Sequence, residues 1–178
     1  DFLVVSDHSE YLGGFYRFNV DDPVVTGTAA GKQWTEYVAE GDYASLFGAF
    51  VNSMQDPENH PPFPKAVQKI IWEDVGQTAD EHNIPGQFTA FIGYEWTSMI
   101  EGNNLHRVVI YRDGADRATQ LPPFTSQEST DPRDLWRALD TYETMTGGEV
   151  MAIAHNGNLS NGMMFPNESV DNQKLNLS

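Results

Sequence analysis

An α/β domain with parallel strands is the fold class this chain predicts, on three observations. Short apolar runs alternate with stretches of helical period, most clearly from Lys65 onward. The first run, residues 2–6, is continuous and rich in Val, as in a strand buried on both faces of a parallel sheet. Polar residues of metal-ligand type then follow the strands at one end: Asp7-His8, Glu95 and His155. In α/β barrels the loops beyond the carboxyl ends of the strands build the active site, so these segments point to one shared face.

The opening strand stops at Asp7-His8-Ser9-Glu10, and Gly13-Gly14 and Asp21-Asp22-Pro23 mark loop. Residues 34–54 mix apolar and polar side chains and predict one or two helices, interrupted near Gly41-Asp42. Asp56-Pro57 and the Pro-rich stretch 59–64 are loop. Over residues 65–82, Val67, Ile70, Ile71, Val75 and Ala79 recur at three- and four-residue spacing, which predicts an amphipathic helix. Asn83-Ile84-Pro85-Gly86 ends it. Residues 88–93 form a second strand that runs out into Tyr94-Glu95-Trp96-Thr97. A turn at 101–104 leads to a third strand, 105–111, with His106-Arg107 at its start. Asp131-Pro132 opens a helix, because Asp caps and Pro suits the first helical position. Its buried face is Leu135, Trp136, Leu139 and Tyr142, and Gly147-Gly148 ends it. Residues 150–154 are a fourth strand, followed by His155-Asn156-Gly157-Asn158.

With 178 residues, 39% of them hydrophobic and 20% charged, the chain can bury a core and is not disordered. No apolar run reaches the roughly 20 residues of a membrane helix, and no signal peptide is visible. The chain begins Asp1-Phe2-Leu3, without Met and already inside a strand, so its true start is expected upstream. Its compartment is left open, an extracytoplasmic one included. The formal charge of −16, from 26 acidic and 10 basic residues, is the opposite of a nucleic-acid binder's balance. The absence of cysteine excludes disulfides, iron–sulfur clusters and thiolate zinc sites. Any metal is therefore held by His, Asp and Glu.

Glu95, His106 and His155 are expected as ligands of one metal ion, Zn²⁺, Mn²⁺ or Fe²⁺. His106 opens its strand instead of closing it, and joins Glu95 if the hairpin-like turn before it brings the two together. Each residue has a bland alternative: Asp7-His8 as a loop cap, Glu95 as an ion pair with a lysine, His155 as a turn residue. Arg107 is a candidate to bind phosphate or carboxylate through its fork, although strand alternation points it away from His106. An ion pair on the outer face of the sheet is the competing role. Asn104, Asn156 and Asn158 either orient substrate and water or satisfy turns. His60 and His82 are expected to be structural or exposed, and Glu10 to serve the loop.

Four ordered segments sharpen this reading: residues 1–13 with Ser-Asp-His-Ser, 91–98 with Gly-Tyr-Glu-Trp, Gly102-Asn103-Asn104-Leu105-His106-Arg107, and 154–162 with Ala-His-Asn-Gly-Asn. Together they closely resemble domain-of-unknown-function family 3604, a bacterial family related to the polymerase and histidinol phosphatase (PHP) superfamily of metal-dependent phosphoesterases. The resemblance implies a distorted seven-stranded (β/α) barrel with parallel strands and two or three divalent metal ions. It implies metal-ligand roles for His8, Glu95, His106 and His155, with Glu95 bridging, and a supporting role for Asp7. The superfamily's opening His-x-His and closing Asp-x-His motifs are expected upstream of Asp1 and downstream of Ser178, which makes the chain an interior piece of the barrel. The expected activity is hydrolysis of a small anionic ester, a phosphate ester first, by metal-bound hydroxide. Sulfate-ester or amide hydrolysis is the alternative, and a non-catalytic metal- or sugar-binding module stands outside that class.

Overall fold

Glu101 and Gly102 decide the sheet. Both are left-handed, with φ of 52° and 80°, and they fold β2 (Thr89–Ile100) back onto β3 (Asn103–Tyr111). Two-residue hairpin turns of this kind match the twist of the flanking strands, and glycine meets the positive φ without strain. The two strands pair antiparallel along their length, from Ile92↔Tyr111 to Ile100↔Asn103. The computed structural model describes residues 1–55 and 63–165. His60 and most of the Pro-rich loop lie outside the described residues.

β1 (Phe2–Val4) pairs parallel with β2, and β4 (Val150–Ala154) pairs antiparallel with β3, giving the order β1-β2-β3-β4. The expected seven-stranded barrel of parallel strands is thus corrected to a small, open, mixed sheet. Parallel neighbours need a crossover of about a dozen residues or more, and two residues join β2 to β3. β1, β2 and β4 still run in one direction, so their carboxyl ends share an edge with the start of β3.

Between β1 and β2 lie α1 (Gly14–Asn19), α2 (Pro23–Thr26), α3 (Ala29–Glu40), α4 (Tyr43–Gln55) and α5 (Lys65–His82). The break at Gly41, φ 72°, separates α3 from α4 as expected, while α1 and α2 occupy a stretch expected to be loop. α6 (Ala115–Ala118) and α7 (Pro132–Thr146) connect β3 to β4. Alternation puts Ile92, Tyr94 and Trp96 of β2 and Val109 and Tyr111 of β3 on one face. Trp72 of α5 meets Tyr94 and Tyr111 there at 5.8 and 5.6 Å between ring centroids, and Tyr142 of α7 meets Tyr111 at 4.9 Å. A second aromatic cluster gathers Tyr11, Phe15, Phe63 and the buried Trp34.

Two burial expectations change. Phe2, Leu3 and Val5 are more than half exposed, because β1 lies at an edge of the sheet. Trp136 is also largely exposed, while Leu135 and Tyr142 carry the buried face of α7. Among the described residues no helix is long and apolar enough to cross a membrane.

Candidate metal centre

The face opposite Trp72 carries Glu95 and Thr97 on β2 and His106 on β3. Thr97 stands directly across from His106 in the register, and Glu95 is two residues back on the same face. The hairpin therefore solves the awkward placement of His106: the start of β3 lies beside the end of β2. His8 joins from the segment after β1. Its backbone is locked to β2, since Ser9 N–H donates to the Glu95 carbonyl at 2.8 Å and Glu95 N–H donates to the Asp7 carbonyl at 2.8 Å. His155 follows β4, and its N–H donates to the His106 carbonyl at 3.3 Å.

Glu95 is the hub. Its Oε2 lies 2.9 Å from His8 Nδ1 and 3.4 Å from His106 Nδ1, and its Oε1 contacts His155 Nε2. One ligand atom from each of His8, Glu95 and His106 falls within 4.8 Å of the others. Metal–ligand bonds of about 2.1 Å place neighbouring ligand atoms roughly 3–3.5 Å apart, so this spacing suits an ion. The set expected to act together was Glu95, His106 and His155. The structure seats His8 on the same carboxylate oxygen as His106, and His155 on the other oxygen.

Electrostatics tie the group together. Burial pushes the Glu95 carboxyl up, but hydrogen bonds and charge from His106 and His8 outweigh it and hold it well below the usual carboxylate range. The hydrogen bond to Glu95 in turn raises His8 above the ordinary imidazole value, against its partial burial. A carboxylate that favours the protonated form of His8 at this distance attracts a cation at the same place, with release of that proton.

Thr97 is the participant that sequence reasoning missed. Its Oγ1 lies 2.6 Å from His8 Nδ1, 3.0 Å from His106 Nδ1 and 3.3 Å from Glu95 Oε2. The available signal was Glu-x-Thr inside a strand, a spacing that puts both side chains on one face.

The remaining candidates scatter. Asp7 caps the loop: its Oδ1 accepts from His8 N–H at 2.9 Å and its Oδ2 from Gly13 N–H at 3.0 Å. Arg107 is buried on the helix-covered face, where its guanidinium donates to the Met164 carbonyl at 3.0 Å, and burial lowers its pKa. No carboxylate among the described residues pairs with it, so it makes neither the expected outer-face ion pair nor an approach to Glu95. Asn104 is buried and shares the face of His106. Asn156 is left-handed, φ 58°, and exposed, as Asn158 is exposed. Glu10 is fully buried, its Oε1 accepting from Ser126 Oγ at 2.8 Å and Ser126 N–H at 3.1 Å. His82 ends α5 with Nδ1 2.9 Å from the Thr78 carbonyl.

No curated protein and no solved structure matches the chain. A family model described as "Protein of unknown function (DUF3604)" matches residues 1–178, so the chain belongs to that family.

Proposed function

We propose that this chain carries the metal-binding core of a hydrolase, a phosphoesterase first, of the kind found in the PHP superfamily. The observation that supports it is the division of one buried carboxylate among three histidines: Oε2 of Glu95 toward His8 and His106, Oε1 toward His155. Oxygen and imidazole nitrogen are ligands for Zn²⁺, Mn²⁺ or Fe²⁺, and two carboxylate oxygens facing different histidines can serve two ions. An ion bound there supplies Lewis acidity that lowers the pKa of water and holds an anionic ester oxygen. The chain's own residues do the positioning. The β2–β3 hairpin fixes Glu95 and His106, the bridge between Asp7–Ser9 and Glu95 fixes His8, and Thr97 Oγ1 lies between the two imidazoles, 2.6 and 3.0 Å from their Nδ1 atoms. Glu95 also offsets positive charge brought into the site, an effect strengthened by its burial.

The test is elemental analysis and turnover on purified protein, with 4-nitrophenyl phosphate, 4-nitrophenyl sulfate and a 4-nitroanilide compared. Wild type is expected to bind Zn or Mn and to prefer the phosphate. Glu95→Gln, which keeps shape and removes charge, is expected to lose most of both, while His82→Ala keeps both. Metal content and turnover retained in Glu95→Gln overturn the proposal. Metal bound without turnover of either ester or of the anilide leaves a metal-binding module.

A further inference from the structure

Beside His8 lies a recess of about 320 Å³ whose walls are Asp7, His8, Tyr11, Phe15, Phe47 and Phe50. Four of these six side chains are benzenoid rings. Tyr11, Phe15 and Phe50 pack edge to face or tilted, with centroids about 6 Å apart, into one continuous wall: 6.0 Å for Tyr11–Phe15, 6.0 Å for Tyr11–Phe50 and 5.9 Å for Phe15–Phe50. His8 meets Phe50 at 5.4 Å, so the wall continues to the candidate metal centre. Phe47, one turn before Phe50 on α4, is 68% exposed. Its ring leaves an apolar side chain at the outer side of the recess, within reach of a ligand there.

The charge of the recess is one-sided. Asp7 is exposed, and its oxygens are fixed by His8 N–H and Gly13 N–H at 2.9 and 3.0 Å. Among the described residues neither Lys nor Arg lines the recess. Aromatic faces carry negative electrostatic potential, and a carboxylate at the rim adds to it. The chain's net charge of −16 acts in the same sense over longer range. Such a surface disfavours a second anionic group and suits one that is both apolar and positive.

We propose that this recess binds a quaternary ammonium group, as part of a zwitterionic ester whose anionic end reaches the Glu95–histidine centre. The substrate role rests on the hydrolase reading above; the binding of the ammonium group does not. The trimethylammonium methyls lie against the half-buried Phe15 and Phe50, which the buried Tyr11 backs, Phe47 covers the outer side, and Asp7 balances the charge. His8 is shared by the two halves of the site, which sets the anionic ester next to the cationic group.

The test separates the two readings. Choline and its uncharged isostere 3,3-dimethylbutan-1-ol are titrated into the metal-free protein, followed by ligand-observed NMR and calorimetry. Choline is expected to bind about tenfold more tightly, the scale of one cation–π contact plus a carboxylate. Asp7→Asn and Phe47→Leu are each expected to weaken choline binding several-fold, Asp7→Asn with little effect on the alcohol. Phe47→Leu changes an exposed side chain, so the fold does not depend on it. Equal affinity for choline and the alcohol, or choline affinity unchanged in both variants, overturns the proposal. On metal-loaded protein, 4-nitrophenyl phosphorylcholine is expected to show a lower KM than 4-nitrophenyl phosphate, and Asp7→Asn to remove that difference. A higher KM for the choline ester overturns the substrate role. Choline binding with no turnover of either ester supports the ammonium site and counts against the hydrolase reading alone.

Discussion

Glu10 shows how far a residue's role depends on what lies across from it in space. It sits two positions past His8 in a motif of ligand-type residues, yet it is fully buried and its Oε1 is taken by Ser126 and Ser9. Among the described residues its Oε2 has no partner, and neither do Thr125 Oγ1 and Gln68 Oε1, whose residues line the same small cavity of about 10 Å³. Burial pushes the carboxyl up, with the Ser126 hydrogen bonds working against it. A side chain that keeps one acceptor and adds a donor fits this setting better than a carboxylate does. Glu10→Gln is therefore expected to stabilise the fold by about 1 kcal/mol, or a rise of roughly 2–4 °C in Tm for a domain of this size. Thermal unfolding at neutral pH measures it, and a fall in Tm would show that Oε2 carries a stabilising contact as an anion. Ser126 is 116 residues away in the chain, and nothing in the local sequence announces that pairing. Glu95, by contrast, was legible because its strand, its charge and its neighbours all read locally.

Elements with strong local signals formed where they were expected. The spacing of Val67, Ile71 and Val75 placed α5 at Lys65–His82, and Asp131-Pro132 placed the start of α7. Asp131 earns its position chemically: Oδ1 accepts from Arg133 N–H at 2.9 Å, and the Arg133 guanidinium reaches Oδ2 at 2.5 Å. That hydrogen bond from Arg133, before any other influence, holds the Asp131 carboxyl below its usual value. A depressed folded-state pKa stabilises above the unfolded value, near pH 4, and the effect is lost as pH falls through the folded value. Asp131→Ala is expected to cost about 1 kcal/mol at pH 7. The gap between the two proteins should narrow as pH falls below about 4 and close only below the depressed folded-state value, where Asp131 is protonated in both states. Denaturant unfolding across pH 3 to 7 reads it, and a gap that does not narrow in acid would mean that α7 draws nothing from the charge of its cap. Short helices were harder to see: α1 and α2 have six and four residues, too few to display a period.

At the scale of the whole molecule, the barrel expectation failed on connection length, which the sequence did contain. Gly102 between two apolar strands is a hairpin signal, and it outweighs a general preference for parallel strands in an α/β pattern. The site nevertheless assembled, because three strands keep one direction and the fourth begins where they end. Its four principal residues stand at positions 8, 95, 106 and 155, so they join the segment after β1 to β2, β3 and the segment after β4. An ion held by them would cross-link the sheet along that edge, and an unfolded chain, with these groups far apart, would hold it poorly. Ligand that binds the folded state alone stabilises it by about 2.7 kcal/mol at a hundred times its Kd. For a domain of this length that is a rise of about 5–10 °C in Tm. Thermal unfolding of the protein, first stripped with chelator and then supplied with Zn²⁺ or Mn²⁺, is expected to show that rise. Glu95→Gln should remove it, because that carboxylate is shared by all three imidazoles, and His82→Ala should retain it. The effect depends on the four segments being tied together, so exchange protection of β1 and β4 amides should increase with metal as well. An equal rise in Tm for Glu95→Gln and wild type would place the ion elsewhere on this acidic surface, away from the histidines.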